Sequence, residues 1–376
     1  MYGLVHTGLL WSKMFSAELA ARGFDQCQAD PCVFWRVLRG KVVITLVYVD
    51  DLVVSSGTEC DEELAVNDPR SRFPIKDLGE AGLCLGCHIT RVCEAETPNL
   101  DQHRYVRTMA SKFNAGKTST RPAVAGAKPL SKDDATQTEV ETKEMRVTPY
   151  REAVGALIWV SIMTRPDVAY PAHQLGKCND NPGPVHWRAA KRALQYLRLT
   201  EDVEIIYGGT RKSCRKLSLW MDEDIATCPE TRRSVSGGGI MLGGGAISWF
   251  SRVQKATAAA SSEKECMALA EVVNEPRFLR QVKGFLTPPI DDNIVVREDS
   301  EGAIKVAANR FSSRRTKDVD VKHHMVRDAV KSGVVRIRYV KSGEPYADVL
   351  TKALGVKTFE THARFLLDAR AGSPTV

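Results

Sequence analysis

No apolar run in this chain approaches the roughly 20 residues that a bilayer-spanning helix needs; the longest, around Val42–Val49, has the length of a strand. The N-terminal segment MYGLVHTGLLWSKMF places no basic residues ahead of an apolar core. It reads as no secretion signal, so an intracellular protein, in cytoplasm or nucleus, is expected. A disulfide framework is missing too. The 10 cysteines are scattered through 376 residues, which suits a reducing compartment. Cys84-Leu85-Gly86-Cys87-His88 has the spacing of a haem attachment site, but without an export signal it reads as two buried thiols in an apolar strand. A phosphate loop is also absent. Neither glycine triplet, Gly237–Gly239 or Gly243–Gly245, precedes a Lys-Ser/Thr pair or opens a helix, and both read as hairpin glycines. Finally, no strong charge excess is present. With 53 Lys+Arg against 46 Asp+Glu the net charge is +7, which permits a polyanionic partner without demanding one.

What is there is ordinary globular composition, 43% hydrophobic and 26% charged, in a chain long enough for two or three domains. The most informative stretch is KVVITLVYVDDLVVSS, residues 41–56: two β-branched runs joined at Tyr48-Val49-Asp50-Asp51. This pattern predicts a buried hairpin with two carboxylates at its tip. Such a pair is either a polar turn or a site for a hard divalent cation, which prefers carboxylate oxygens.

Ahead of it, residues 8–23 read as an amphipathic helix with Leu10, Met14, Phe15, Leu19 and Ala20 on one face, and Val33–Val37 as a strand turning at Arg39-Gly40. Gly57–Arg70 reads as a polar stretch, Leu83–Arg91 as a strand and Tyr105–Phe113 as a short basic helix. Residues 115–148 turn polar and lose any apolar period, which reads as a linker. Helices follow at Tyr150–Met163 and Trp187–Leu197. The last third has strands Leu217–Met221 (ending at Asp222), Ser234–Leu242, Ala246–Phe250, Ile294–Val296 and Val334–Val340. Helices are expected from Ser262, over Glu301–Ala308 and over Val319–Val330. Three strands and then alternating helices and strands predict a mixed α/β sheet covered by helices.

Several short motifs occur in a collinear order. They are Tyr2-Gly3-Leu4 with Trp11, Asp30-Pro31-Cys32, Tyr48–Asp51, and Lys76-Asp77-Leu78-Gly79-Glu80 with Leu85-Gly86. Further on come Tyr150-Arg151, Val154-Gly155, Thr164-Arg165-Pro166-Asp167, His186, and Lys191-Arg192 with Tyr196-Leu197. Arg232-Arg233-Ser234, Ser248-Trp249, Ser261-Ser262, Arg315-Thr316-Lys317 and Ala347-Asp348 with Leu350-Thr351-Lys352 complete the series. Together they resemble the C-terminal part of the Pol polyprotein of Ty1/copia-type retrotransposons, from Tyr2 to about Leu354.

The resemblance implies five segments: a truncated reverse-transcriptase palm and thumb over 1–114, a linker over 115–148, connection helices over 149–208, an RNase H-like domain over 209–354, and a tail over 355–376. It implies that Asp50 and Asp51 are two of the three metal-binding carboxylates of a polymerase. The third belongs to a motif upstream of the Tyr2-Gly3-Leu4 segment, so an incomplete polymerase site is expected. Val5 and His6 stand where the family has Lys-Gln, and Leu9 replaces a basic residue.

In the RNase H half the resemblance places Asp222, Glu265, Asp299 and Asp348 around two Mg²⁺ ions, with an RNA–DNA hybrid as substrate. Each acid also has a local reading: Asp222 in the acidic run Asp222-Glu223-Asp224, Glu265 in a capping box with Ser262, Asp299 as a helix cap, and Asp348 in a polar segment. Departures from the family are Ile225 in place of Trp, Ser300 in place of Asn, and Pro276 within a helix. They leave open a catalytically dead nucleic-acid-binding or structural relic. His324 beside His323 matches a histidine of the family's terminal helix, and Lys191, Arg192, Arg314, Arg315 and Lys317 are candidate phosphate contacts.

Overall fold

The computed structural model describes residues 7–92, 97–123, 129–208, 217–224, 233–254, 277–282, 284–285, 294–298, 304, 317–340 and 346–367. Two compact units make up the chain. One is Met1–Ala81 with Arg277–Asp292, and the other is Gly82–Pro276 with Asn293–Val376.

In the first unit, helix α1 (Thr7–Ala21) precedes strands β1 (Asp25–Gln26), β2 (Val33–Leu38), β3 (Lys41–Tyr48) and β4 (Asp51–Ser55), followed by α2 (Glu59–Arg70). The sheet is antiparallel in the order β1-β2-β3-β4. Arg39 and Gly40 both adopt positive φ, 49° and 78°, the two-residue geometry that matches the twist of paired strands. The core joins Phe15, Leu19, Phe24, Phe34, Val43, Val47 and Ala65.

The buried face of α1 keeps two of the five expected residues, Phe15 and Leu19. Leu10, Met14 and Ala20 are exposed, while Phe15, Glu18 and Leu19 are buried with Trp11 packed beside them. Glu18 can lie there because Arg22 and Arg72 pair with it at 2.8 and 2.9 Å. The polar stretch 57–70 is largely helix α2. Its first turn holds Glu59, Asp61 and Glu62, acids that suit the positive end of the helix dipole.

The second unit contains two sheets. The smaller has β5 (Leu83–Cys84), β6 (Cys87–Val92), β7 (Thr97–Asp101) and β8 (Ile205–Ile206) in that spatial order. The expected single strand Leu83–Arg91 is therefore a hairpin, with Cys84 paired to Cys87 across Leu85 and Gly86, both at positive φ. Between β7 and β8 lie α3 (His103–Lys112), α4 (Glu139–Val147), α5 (Tyr150–Met163), α6 (Ala169–Gly176) and α7 (Pro184–Leu199).

Helix α4 falls inside the stretch read as a linker. It and the short turn at Lys132–Asp134 each start with a capping box, Ser131 with Asp134 and Thr138 with Glu141. Helix formation here comes from caps and not from an apolar stripe, which explains why periodicity missed it. The stretch is also tied down: His186 accepts from the Gly183 amide at 2.9 Å and its other ring nitrogen lies 2.9 Å from the Ser131 carbonyl.

The larger sheet comprises β9 (Ser218–Asp224), β10 (Val235–Leu242), β11 (Gly245–Val253), β12 (Ile294–Glu298) and, after α8 (Lys317–Lys331), β13 (Val335–Tyr339). Its order is β11-β10-β9-β12-β13. The first three strands are antiparallel, and β12 is parallel to both neighbours, giving the mixed sheet expected. A single-turn segment, Tyr346–Leu350, and helix α9 (Val356–Leu367) follow. Phe359, His362, Ala363, Leu366 and Leu367 of α9 are buried in the unit's core, although residues 355–376 read as a tail.

The signature Thr164-Arg165-Pro166-Asp167 terminates α5 and forms a buried lock. Arg165 donates to Asp167 at 2.9 and 2.7 Å and to Thr200 at 2.9 and 2.7 Å, and Tyr196 donates to Asp167 at 2.5 Å. Burial opposes the Arg165 charge, but the Asp167 carboxylate outweighs it and holds the guanidinium protonated.

Candidate active site

Strand β9 buries Leu219, Trp220 and Met221 in succession, and Asp222, on the same face as Trp220, is buried too at 5% exposure. A buried carboxylate needs partners. They arrive from more than a hundred residues later in the chain. The Thr351 hydroxyl donates to Asp222 Oδ2, and Lys352 Nζ lies 3.2 Å from the same oxygen. Lys352 Nζ also lies 3.2 Å from Asp348 Oδ1. One ammonium therefore joins two carboxylates contributed by β9 and by the Tyr346–Leu350 turn.

Two features press that turn onto the sheet. First, Gly237 faces Asp222 in the β10–β9 register, and a Cβ there would lie 2.7 Å from both Leu350 Cβ and Thr351 Cγ2. The triplet Gly237–Gly239 is thus mid-strand and not a hairpin tip. Gly243 and Gly244, at φ 66° and 89°, make the turn. Second, an aromatic cluster clamps the turn. Tyr346 stacks on Phe365 with centroids 3.9 Å apart, and Trp220 meets both rings edge-on at 4.9 and 5.0 Å. His362, 3% exposed, lies edge-on to Tyr346 at 5.4 Å.

Electrostatics mark the pair as strained by like charge. Burial and then the Asp222 charge push Asp348 up to about 7, with Lys352 opposing. Burial, helped by Lys352, lowers His362 to about 4, so the ring is neutral at physiological pH. Two buried carboxylates brought together on one cation match the oxygen-rich donor set of a hard divalent ion such as Mg²⁺. Asp222 and Asp348 would be its ligands. Among the described residues no group of three His, Cys, Asp or Glu side chains lies within reach of one metal. Glu265 and Asp299, the other two expected ligands, lie outside the described residues, as do Arg314 and Arg315.

Thr351 and Lys352 stand in a motif that by itself assigns neither a role. The available signal was the i,i+4 spacing of Asp348 and Lys352. Asp222 sits inside β9, two residues before its end, and not at the strand's terminus.

Asp50 and Asp51 lie at the β3–β4 tip as expected, both exposed, with Asp51 opposite Tyr48. Val49, between the strands, has φ 53°, a left-handed conformation that is costly for a β-branched residue. His324 is exposed on α8, with Nδ1 2.7 Å from an Arg327 nitrogen. No helix among the described residues is long and apolar enough to cross a membrane.

Similarity to known proteins extends over 96% of the chain. Residues 1–125 match a family described as reverse transcriptase (RNA-dependent DNA polymerase). The retrovirus-related Pol polyprotein from transposon TNT 1-94 of Nicotiana tabacum is 31% identical over 363 residues, 96% of this chain and 27% of that polyprotein. The corresponding polyprotein from transposon RE1 of Arabidopsis thaliana is 29% identical over 366 residues, 96% of this chain and 24% of that one. A secreted RxLR effector protein 161 of Plasmopara viticola is 40% identical over 144 residues, 100% of that protein and 37% of this chain. The protein thus belongs to the family of retrovirus-related Pol polyproteins of copia-type transposons, matches its reverse-transcriptase domain over residues 1–125, and spans about a quarter of the polyproteins it matches.

Proposed function

We propose that the second unit carries a ribonuclease H activity that cuts the RNA strand of an RNA–DNA hybrid, with Asp222, Glu265, Asp299 and Asp348 as its acidic residues. The observation that supports this reading is the convergence of Asp222 and Asp348, held by Thr351 and Lys352 on the central strand of the larger sheet. Mg²⁺, when bound, activates water and steadies the departing 3′ oxygen. The chain's own contribution is positioning. Thr351 fixes the rotamer of Asp222, the Gly237 backbone admits the turn that bears Asp348, and the Trp220–Tyr346–Phe365 cluster keeps that turn seated. Lys191 and Arg192 on α7 are candidate phosphate contacts.

The test incubates the full chain with Mg²⁺ and an end-labelled hybrid, alongside Asp222→Asn and Asp348→Asn. Metal-dependent cleavage lost in both variants supports the reading. No cleavage by the parent chain, or equal cleavage by the variants, sinks it.

A second reading follows from Lys352, whose ammonium already occupies the space between the two acids. In that reading the fold is a non-catalytic nucleic-acid-binding relic. It predicts salt-sensitive hybrid binding without metal-dependent cutting. For the first unit, Asp50 and Asp51 are proposed as two carboxylates of a polymerase metal site.

A further inference from the structure

Lys352 has a base that is fixed and a tip that is not. Its amide donates to the Asp348 carbonyl at 3.0 Å, closing the turn, and the Thr351 amide donates to the same carbonyl at 3.1 Å. The backbone at Lys352 is therefore pinned beside Asp348, while its side chain is 36% exposed against 6% for Asp222 and 14% for Asp348. A lysine carries a compact point charge on a flexible four-carbon stem, so the ammonium has a route to solvent without moving the turn.

The way the ammonium is held also matters. It lies equally close to both carboxylates, at 3.2 Å from each. The ammonium reaches Asp348 Oδ1 at 3.2 Å, and a carboxylate oxygen holds a second lone pair that this contact leaves for another partner. Asp222 Oδ2, in contrast, is held by the Thr351 hydroxyl whether or not the lysine stays. An occupant that offsets part of the charge of both acids, and can leave without dismantling either one's support, behaves as an exchangeable counter-ion.

We propose that Lys352 is a built-in counter-cation for Asp222 and Asp348, one that holds the acid pair together in the metal-free protein and that a divalent cation displaces on binding. This rests on the metal-binding reading above and adds to it a regulation: metal affinity is set by competition with a tethered ammonium. Competition is reciprocal, so weakening one occupant strengthens the other. Lys352 is a positioning residue here, since it acts through the two carboxylates.

The test uses the full chain without nucleic acid. Mn²⁺ is titrated into the parent protein, Lys352→Met, Lys352→Arg and Asp222→Asn, with free Mn²⁺ read by electron paramagnetic resonance. Melting is followed in EDTA and in saturating Mn²⁺. The expected result is Mn²⁺ binding about tenfold tighter in Lys352→Met than in the parent, with Lys352→Arg near the parent because it keeps the charge. Lys352→Met should melt below the parent in EDTA, and the gap should close with Mn²⁺. A purely structural salt bridge would lower stability without tightening Mn²⁺ binding, and that result overturns the proposal.

If hybrid binding in EDTA weakens in Lys352→Met while Mn²⁺ affinity stays put, Lys352 is a phosphate contact and the proposal is likewise overturned. Mn²⁺ binding that is the same in Asp222→Asn as in the parent points instead to failure of the metal-site reading, and the proposal falls with it. Should Lys352→Met fail to fold, Lys352→Gln removes the charge while keeping a polar tip, and the same comparison applies.

Discussion

Asp222 and Gly237 are direct partners across β9 and β10, and the missing side chain of the one makes room for the support of the other. A Cβ on Gly237 would lie 2.7 Å from Leu350 Cβ and from Thr351 Cγ2, and Thr351 is the donor to Asp222. Gly237→Ala is therefore expected to push the Tyr346–Leu350 turn off the sheet. The cost should be roughly 1–3 kcal/mol of stability, as for an overpacked core, measured by urea unfolding. An alanine variant as stable as the parent would show that the turn is not seated as described.

The Arg165–Asp167–Tyr196 lock makes a separate prediction. Both charged partners are buried, at 2% and 0% side-chain exposure. Asp167→Ala leaves a buried guanidinium with no counter-charge and should cost roughly 3–5 kcal/mol. Arg165→Met with Asp167→Leu removes both charges and should recover most of that loss. A single variant within 1 kcal/mol of the parent, on the order of a surface change, would contradict the burial argument.

Val49 holds φ 53° at the hairpin tip next to Asp50. Glycine adopts that conformation without a Cβ penalty, so Val49→Gly is expected to stabilise the hairpin locally by about 1 kcal/mol. The readout is amide hydrogen exchange in β3 and β4, slower by about fivefold at 1 kcal/mol. Unchanged or faster exchange would mean that the valine is not strained there.

His173 on α6 supplies a pH dependence. Burial, with Lys177 adding, lowers its pKa to about 4 from an ordinary 6.5. The folded state then binds fewer protons than the unfolded state between these values. Stability is complete above about pH 6.5 and is lost as pH falls toward 4. His173→Gln should flatten the acid side of the stability curve by on the order of 2 kcal/mol, from denaturant midpoints measured between pH 4 and 7. An unchanged slope would rule out His173 as the titrating group.

Gly183 approaches the 131–135 segment so closely that a Cβ would lie 2.2 Å from the Asp134 carbonyl oxygen. Gly183→Ala should loosen that segment and break the His186 link to Ser131. Faster tryptic cleavage at Lys132 and Lys143, with the rest of the chain intact, is the expected outcome. Cleavage at the parent rate would argue that the segment is not anchored through Gly183.

Local chemistry was legible wherever a pattern repeats within a few residues. The period-2 runs of β2, β3 and β4, the helix Tyr150–Met163 and its stop at Thr164 could all be read from neighbouring residues, as could the Asp50-Asp51 tip. Collinear motifs carried the family as well, because their order survives even where single residues have drifted. Periodicity failed where stability comes from something else: the acid-rich start of α2, the capping boxes before α4, and the choice of Glu18 over Met14 on the buried face of α1.

The acids themselves could be picked out along the chain, but not their relations. That Asp222 and Asp348 share one lysine, that Thr351 holds Asp222, and that Gly237 admits the Leu350–Thr351 backbone all depend on residues more than a hundred positions apart being packed together. Such contacts follow from which sheet face α9 and the Tyr346–Leu350 turn cover. That is settled by the fit of Trp220, Tyr346 and Phe365 in a shared core, and no local pattern encodes it.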